Sequence, residues 1–125
     1  DTENDNLAIG YDALGGSVAG GEYNIAIGNY SMDANTSGDY NTAVGYASLG
    51  ANTTASYNTA LGWQSMLATA GAGTFNTGVG ARSLETNTTG DDNTAVGVNS
   101  MFSNATGNEN TGANHSASAN HKLDA

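Results

Sequence analysis

The sequence predicts an all-β fold, a parallel β-solenoid (β-roll) of about seven coils, each 17–18 residues long. Three observations predict it. A segment N-x-A-φ-G, with φ aliphatic, recurs as NLAIG (6–10), NIAIG (24–28), NTAVG (41–45), NTALG (58–62), NTGVG (76–80) and NTAVG (93–97), with a worn copy NTGAN at 110–114. Its asparagines fall at 6, 24, 41, 58, 76, 93 and 110, so the steps are 18, 17, 17, 18, 17 and 17 residues. Repeats of that regularity mean stacked units. Finally, the apolar pieces are short, carry no 3.6-residue stripe and are separated by Gly, Asn, Ser and Thr, which excludes helices.

The coil reads N-T-A-V-G-x-x-S-L-x-x-N-T-T-G-x-x, and stacking turns each position into a column. Coils at strand-pairing distance, about 4.8 Å, build a rod roughly 34 Å long. The first column, Asn6, Asn24, Asn41, Asn58, Asn76, Asn93 and Asn110, suits a turn in which each amide bonds the next. The φ column, Ile9, Ile27, Val44, Leu61, Val79 and Val96, is expected in the core. So is a second apolar column, Leu14, Met32, Leu49, Met66, Leu84 and Met101. Strand side chains alternate, so the small Ala8, Ala26, Ala43, Ala60, Gly78 and Ala95 are expected to point the other way, toward another surface. The glycine after φ marks a corner that needs positive φ or close backbone approach.

The chain of 125 residues is long enough for one domain. Twelve acids against Arg82 and Lys122 give a formal charge of −10, which argues against nucleic acid and anionic membrane surfaces as partners. Cysteine is absent, so no disulfide framework or thiolate metal site is expected. No apolar run approaches the ~18 residues that span a bilayer, so no membrane insertion is expected. Residues 1–5 read as the lead-in from a preceding segment, 6–114 as the solenoid and 115–125 as a tail or a connection to a following module. The opening in mid-pattern suggests a fragment of a longer chain.

Two aliphatic groups per coil contribute roughly 1.5–3 kcal/mol apiece when buried. Ordering each residue costs on the order of 1–2 kcal/mol. One thin stack is marginal, and side-by-side association of identical chains is the simplest source of further burial. Rotational symmetry about the rod axis closes such an assembly, so a closed homo-oligomer of parallel chains is expected.

NIAIG followed by Ser31, and NTAVG followed by Ser48, resemble the N-S-V-A-I-G-x-x-S motif of trimeric autotransporter adhesin heads. The longer NTAVGYASL…NTTASYNTALG form is similar to repeats in bacteriophage tail fibres. The resemblance covers about residues 5–114. It implies a left-handed parallel β-roll joined as a trimer, and it speaks to architecture more than to function. Two features depart from it. The coil is longer than the adhesin coil, and Thr42, Thr59, Thr77 and Thr94 replace the aliphatic residue kept at Leu7 and Ile25.

Candidate sites are few. Tyr23, Tyr40, Tyr57 and Phe75 share a column that switches to Asp92 and Glu109, and Tyr11, Tyr46 and Trp63 form a second, patchy row. Ring stacking between coils accounts for such rows. The sharper reading makes Tyr46 and Trp63 a glycan contact. Asn35, Asn52, Asn87, Asn104 and Asn114 each begin N-x-S/T, the glycosylation pattern, although turn chemistry demands the same residues. Asp5, Asp39, Asp91, Asp92 and Glu109 suggest solvated charge rather than a Ca²⁺ site. His115 and His121 lie in the degraded C-terminal stretch, and Arg82 is either solvated or paired with a carboxylate across an interface. Ser31, Ser48, Ser65, Ser83 and Ser100 form a ladder with no histidine spaced to activate one, so neither catalysis nor a cofactor is expected.

The expected role is a structural segment of an extended extracellular surface fibre, foremost a virion (phage tail) fibre that presents or carries receptor binding. Two alternatives stand beside it. One is a bacterial trimeric autotransporter adhesin head that binds glycans or host matrix, with a cell-surface glycan or protein receptor as its partner. The other is an ice-binding solenoid, which requires the threonine column to face outward.

Overall fold

A computed structural model describes residues 5–16, 21–69 and 73–113. The expectations placed on residues 1–4, Asn114, His115, His121 and the tail lie outside them. Seven three-residue strands, β1 (Leu7–Ile9), β2 (Ile25–Ile27), β3 (Thr42–Val44), β4 (Thr59–Leu61), β5 (Thr77–Val79), β6 (Thr94–Val96) and β7 (Thr111–Ala113), form one sheet in chain order. Every neighbouring pair is parallel. The seven strands enclose about six turns of a β-solenoid. Register follows the repeat residue for residue: Val44 pairs with Leu61, and Leu61 with Val79.

Hydrogen bonding between coils extends beyond the strands. The N–H of Thr42 donates to the Asn58 carbonyl at 2.8 Å, and that of Leu49 to Ser65 at 3.0 Å. The N–H of Gly45 donates to the Ile27 carbonyl at 2.8 Å, and that of Tyr57 to Asp39 at 3.0 Å. The chain turns its corners with an unusual number of left-handed residues. Besides the glycines after φ, non-glycine columns take positive φ: Asp12 to Asn99, Leu14 to Met101, and Tyr23 to Glu109, at 49° to 61°. Such residues each cost about 1–2 kcal/mol relative to right-handed backbone.

The interior differs from the expected one in one respect. The second apolar column is inside: Met32, Leu49, Met66 and Leu84 are fully buried and Met101 nearly so, with Leu14 packed against them. The φ column is not. Ile9, Leu61 and Val96 are 55%, 37% and 48% exposed, and Ile27, Val44 and Val79 are half-buried on the outer face of the sheet. Ala26, Ala43, Ala60 and Ala95 point inward instead, at 0% exposure. The cause is the width of the coil. Inside it the strand faces the serine and Leu/Met columns at van der Waals distance. A Cβ built on Gly78 lies 2.8 Å from Ser65 Oγ and 2.9 Å from Met66 Cγ, so a branched side chain has no room there.

The rest of the interior is polar and fully partnered along most of its length. Oδ1 of each first-column asparagine accepts the backbone N–H of the next, from Asn6–Asn24 at 2.7 Å to Asn93–Asn110 at 3.0 Å. From Asn6 to Asn93 each Nδ2 crosses the coil to a backbone carbonyl, as Asn58 does to Gly73 at 2.8 Å. The ladder is therefore side chain to backbone more than amide to amide. Serine hydroxyls bond the inward carbonyls of the strands, as Ser65 does to Gly78 at 3.0 Å.

A second buried asparagine column runs through Asn35, Asn52, Asn87 and Asn104, whose amides donate to one another across coils, Asn52 to Asn35 at 3.1 Å. It is interrupted at Thr69. There, among the described residues, the buried Asn52 Oδ1 and Thr69 Oγ1 both lack a hydrogen-bond partner. An unmet buried acceptor costs about 1–3 kcal/mol. Thr69→Asn should therefore raise stability by about 1 kcal/mol, because the new Nδ2 donates to Asn52 as Asn52 does to Asn35. Urea denaturation of both chains measures the change, and an unchanged or lower midpoint would show that the interruption is not what leaves Asn52 unmet.

Candidate functional site

Two surfaces of the rod carry chemistry. The first is the outer face of the sheet. Its side chains form two columns, Leu7, Ile25, Thr42, Thr59, Thr77, Thr94 and Thr111 beside the φ residues Ile9, Ile27, Val44, Leu61, Val79, Val96 and Ala113. The threonine row thus faces outward, because it shares parity with φ and flanks the inward alanine. No charged residue lies in either column. The acids Asp12, Glu22, Asp33, Asp39, Glu85, Asp91, Asp92 and Glu109 all sit on the connecting segments. A parallel sheet normally has both faces covered. Here the inner face is covered by the Leu/Met column, and among the described residues the outer face is bare.

The second surface is aromatic. Tyr23, Tyr40, Tyr57 and Phe75 stack face to face with centroids 5.0, 5.1 and 4.9 Å apart and planes within 12°. Their faces are spent on one another, which is the stabilising reading of this column. Partial burial in the stack, and then the neighbouring Tyr23 and Tyr57, raise the pKa of the Tyr40 hydroxyl.

The patchy row is a cluster of another kind. Tyr30 lies edge-on to Tyr11 at 5.5 Å and to Tyr46 at 5.8 Å. Tyr30 sits one position after the Tyr11/Tyr46 column, so column reading by itself misses it. Trp63 is 50% exposed, and no ring contact joins it to Tyr46 among the described residues. Beside Tyr30 and Tyr46 a trough of about 510 Å³ opens, with Asp33 and Gln64 on its walls. Partial burial raises the pKa of the Asp33 carboxyl, opposed by backbone N–H groups of Asp33 and Ala34.

The remaining candidates resolve into structural roles. Asn35, Asn52, Asn87 and Asn104 are buried, so the folded chain hides the N-x-S/T amides from modification. Asp39 and Asp91 are not merely solvated: their carboxylates accept the backbone N–H of Glu22 at 2.9 Å and of Thr74 at 2.7 Å in the coil below. Arg82 pairs within its own chain with Glu85, three residues on, and covers the Phe102 ring at 4.5 Å. Ser31, Ser48, Ser65, Ser83 and Ser100 are buried. Among the described residues no three His, Asp or Glu side chains come together as a metal-binding group.

Comparison with known proteins finds no matching family model, no matching curated protein and no matching solved structure.

Proposed function

We propose that the chain is a structural segment of an extended extracellular fibre, of the virion-fibre kind, in which three copies run parallel and turn their Thr/φ faces toward a common axis. One observation carries this reading: an uncharged, largely apolar sheet face runs the described length of a rod whose formal charge is −10. Like chains of that charge repel except where the surface is neutral. Because the columns run along the rod, a rotation axis parallel to it brings identical rows together over their whole length.

The thinness of the interior supports the same reading. One large apolar side chain per coil, worth roughly 1.5–3 kcal/mol, faces inward, and the second lies on the uncovered face. Covering that face supplies the burial that the single stack lacks. Length then comes from repetition, with no new core for each increment.

The outward threonines favour a second reading, an ice-binding face, since rows of Thr and Val lie at two regular spacings on one sheet. The two readings use the same surface and exclude each other. Native mass spectrometry should give three times the 12.5 kDa chain mass, with no thermal hysteresis in the same sample. A folded monomer would overturn the fibre reading, and a monomer that shows hysteresis would replace it with the other.

A further inference from the structure

The outer columns of the stack are not uniformly filled. In the third coil, two positions that carry long side chains in the coils on either side hold Ala47 and Gly50. Below them stand Tyr30 and Asp33, and above them Gln64 and Leu67. The coils on either side of the gap are two strand spacings apart, about 9.6 Å. The result is an open slot of about 510 Å³ that Tyr46 also lines. That volume is within the ~300–1,000 Å³ range of small-molecule sites.

We propose that this slot is a saccharide-binding site. The chemistry of its walls selects that class. Tyr30 and Tyr46 are held edge to face at 5.8 Å and not in a parallel stack, and both rings stay partly exposed, at 36% and 46%. Exposed aromatic faces of that kind receive the apolar C–H face of a sugar ring. On the same slot, Asp33 offers a hydrogen-bond acceptor for hydroxyl donors, and the Gln64 amide offers both donor and acceptor. Backbone groups at the slot are already committed, the Ala47 N–H to Asn29 at 3.0 Å and the Gln64 N–H to Tyr46 at 2.8 Å, so side chains do the recognising. Ala47 and Gly50 form a buried floor between these walls. A Cβ on Gly50 would approach Leu67 Cδ1 to 3.1 Å and Asp33 Oδ1 to 3.5 Å, so the missing side chain lets the two walls draw together over the floor.

Elsewhere the same two columns hold Asp12 and Gly15 in the first coil, and Arg82 and Glu85, which pair with each other, in the fifth. Every wall belongs to one chain, so the site stands or falls separately from the trimeric fibre.

The test uses a glycan array of neutral, N-acetylated and sialylated saccharides, followed by calorimetry with the best-bound sugar. Wild type should bind a defined subset. Tyr46→Ala and Asp33→Asn should each weaken binding at least tenfold. Ala47→Gln should abolish it while preserving the fold, because Gln64 occupies the same column with the same left-handed backbone, φ 53° against 52°. Thermal melts of all variants confirm folding. No array binding by wild type would overturn the proposal. So would binding that survives Ala47→Gln, or tetramethylammonium binding in place of sugars, which would mark a cation site.

Discussion

Gly62→Ala should lower the melting temperature by ~10 °C or more, a large effect for a single methyl group. Gly62 has φ +139°, and a Cβ there would lie 2.6 Å from the Gly80 carbonyl oxygen and 2.7 Å from its carbon. Both obstacles are backbone of the next coil, which cannot swing aside. Holding an alanine in that conformation costs about 1–3 kcal/mol. Separating the coils to relieve the clash also sacrifices the Gly62 N–H bond to Val44 at 2.8 Å and the bond that Gly80 donates to Leu61 at 2.8 Å. For a chain of this size about 3 kcal/mol corresponds to roughly 10 °C. The control is Gly50→Ala, where the backbone is ordinary and the nearest obstacle is the flexible tip of Leu67. Circular dichroism melts of the two variants decide the matter. Equal, small shifts would mean that the coils yield at Gly62.

Most of this architecture was legible because translation along the rod makes sequence period and spatial neighbour the same thing. The asparagine steps of 17 and 18 residues fixed the pairing of Val44, Leu61 and Val79 before any geometry was known. What the period does not encode is which way a three-residue strand faces. Thr42-Ala43-Val44 has one small and two larger side chains, and ordinary hydrophobic reasoning puts valine inside. The interior is instead too narrow at the strand for anything above alanine, because Ser48 and Leu49 occupy the space opposite. That constraint arises from tertiary packing and leaves no trace in propensity.

Left-handed backbone at Leu14, Met32 and their column mates was equally hidden, since glycine is the residue that normally marks it. The slot was hidden for a third reason. Ala47 and Gly50 signal it only by lacking side chains that neighbouring coils possess, and Tyr30 reaches Tyr46 from the adjacent column. Comparing coils for what is missing, rather than for what recurs, is the reading that would have found it.

Leu61→Glu gives the sharpest test of the outer face. Leu61 is 37% exposed in the isolated chain, so a carboxylate there remains hydrated and a lone rod should tolerate it with little change. In a trimer closed about the sheet faces, the same substitution places three like charges near the axis without counter-ions. An uncompensated buried charge costs about 3–5 kcal/mol. Association should therefore fail: light scattering should report one chain mass instead of three. The melting temperature should fall well below wild type and lose its dependence on protein concentration. Ala105→Glu adds the same charge on an exposed residue off the sheet and should leave the mass unchanged. The comparison also separates two explanations of how so narrow a stack persists. If the Leu61→Glu chain is monomeric yet melts like wild type, the hydrogen-bonded ladders and the Leu/Met column suffice alone, and the burial argument for association is lost. If it is monomeric and unfolds readily, the bare face is the second half of the core, completed only by neighbouring copies.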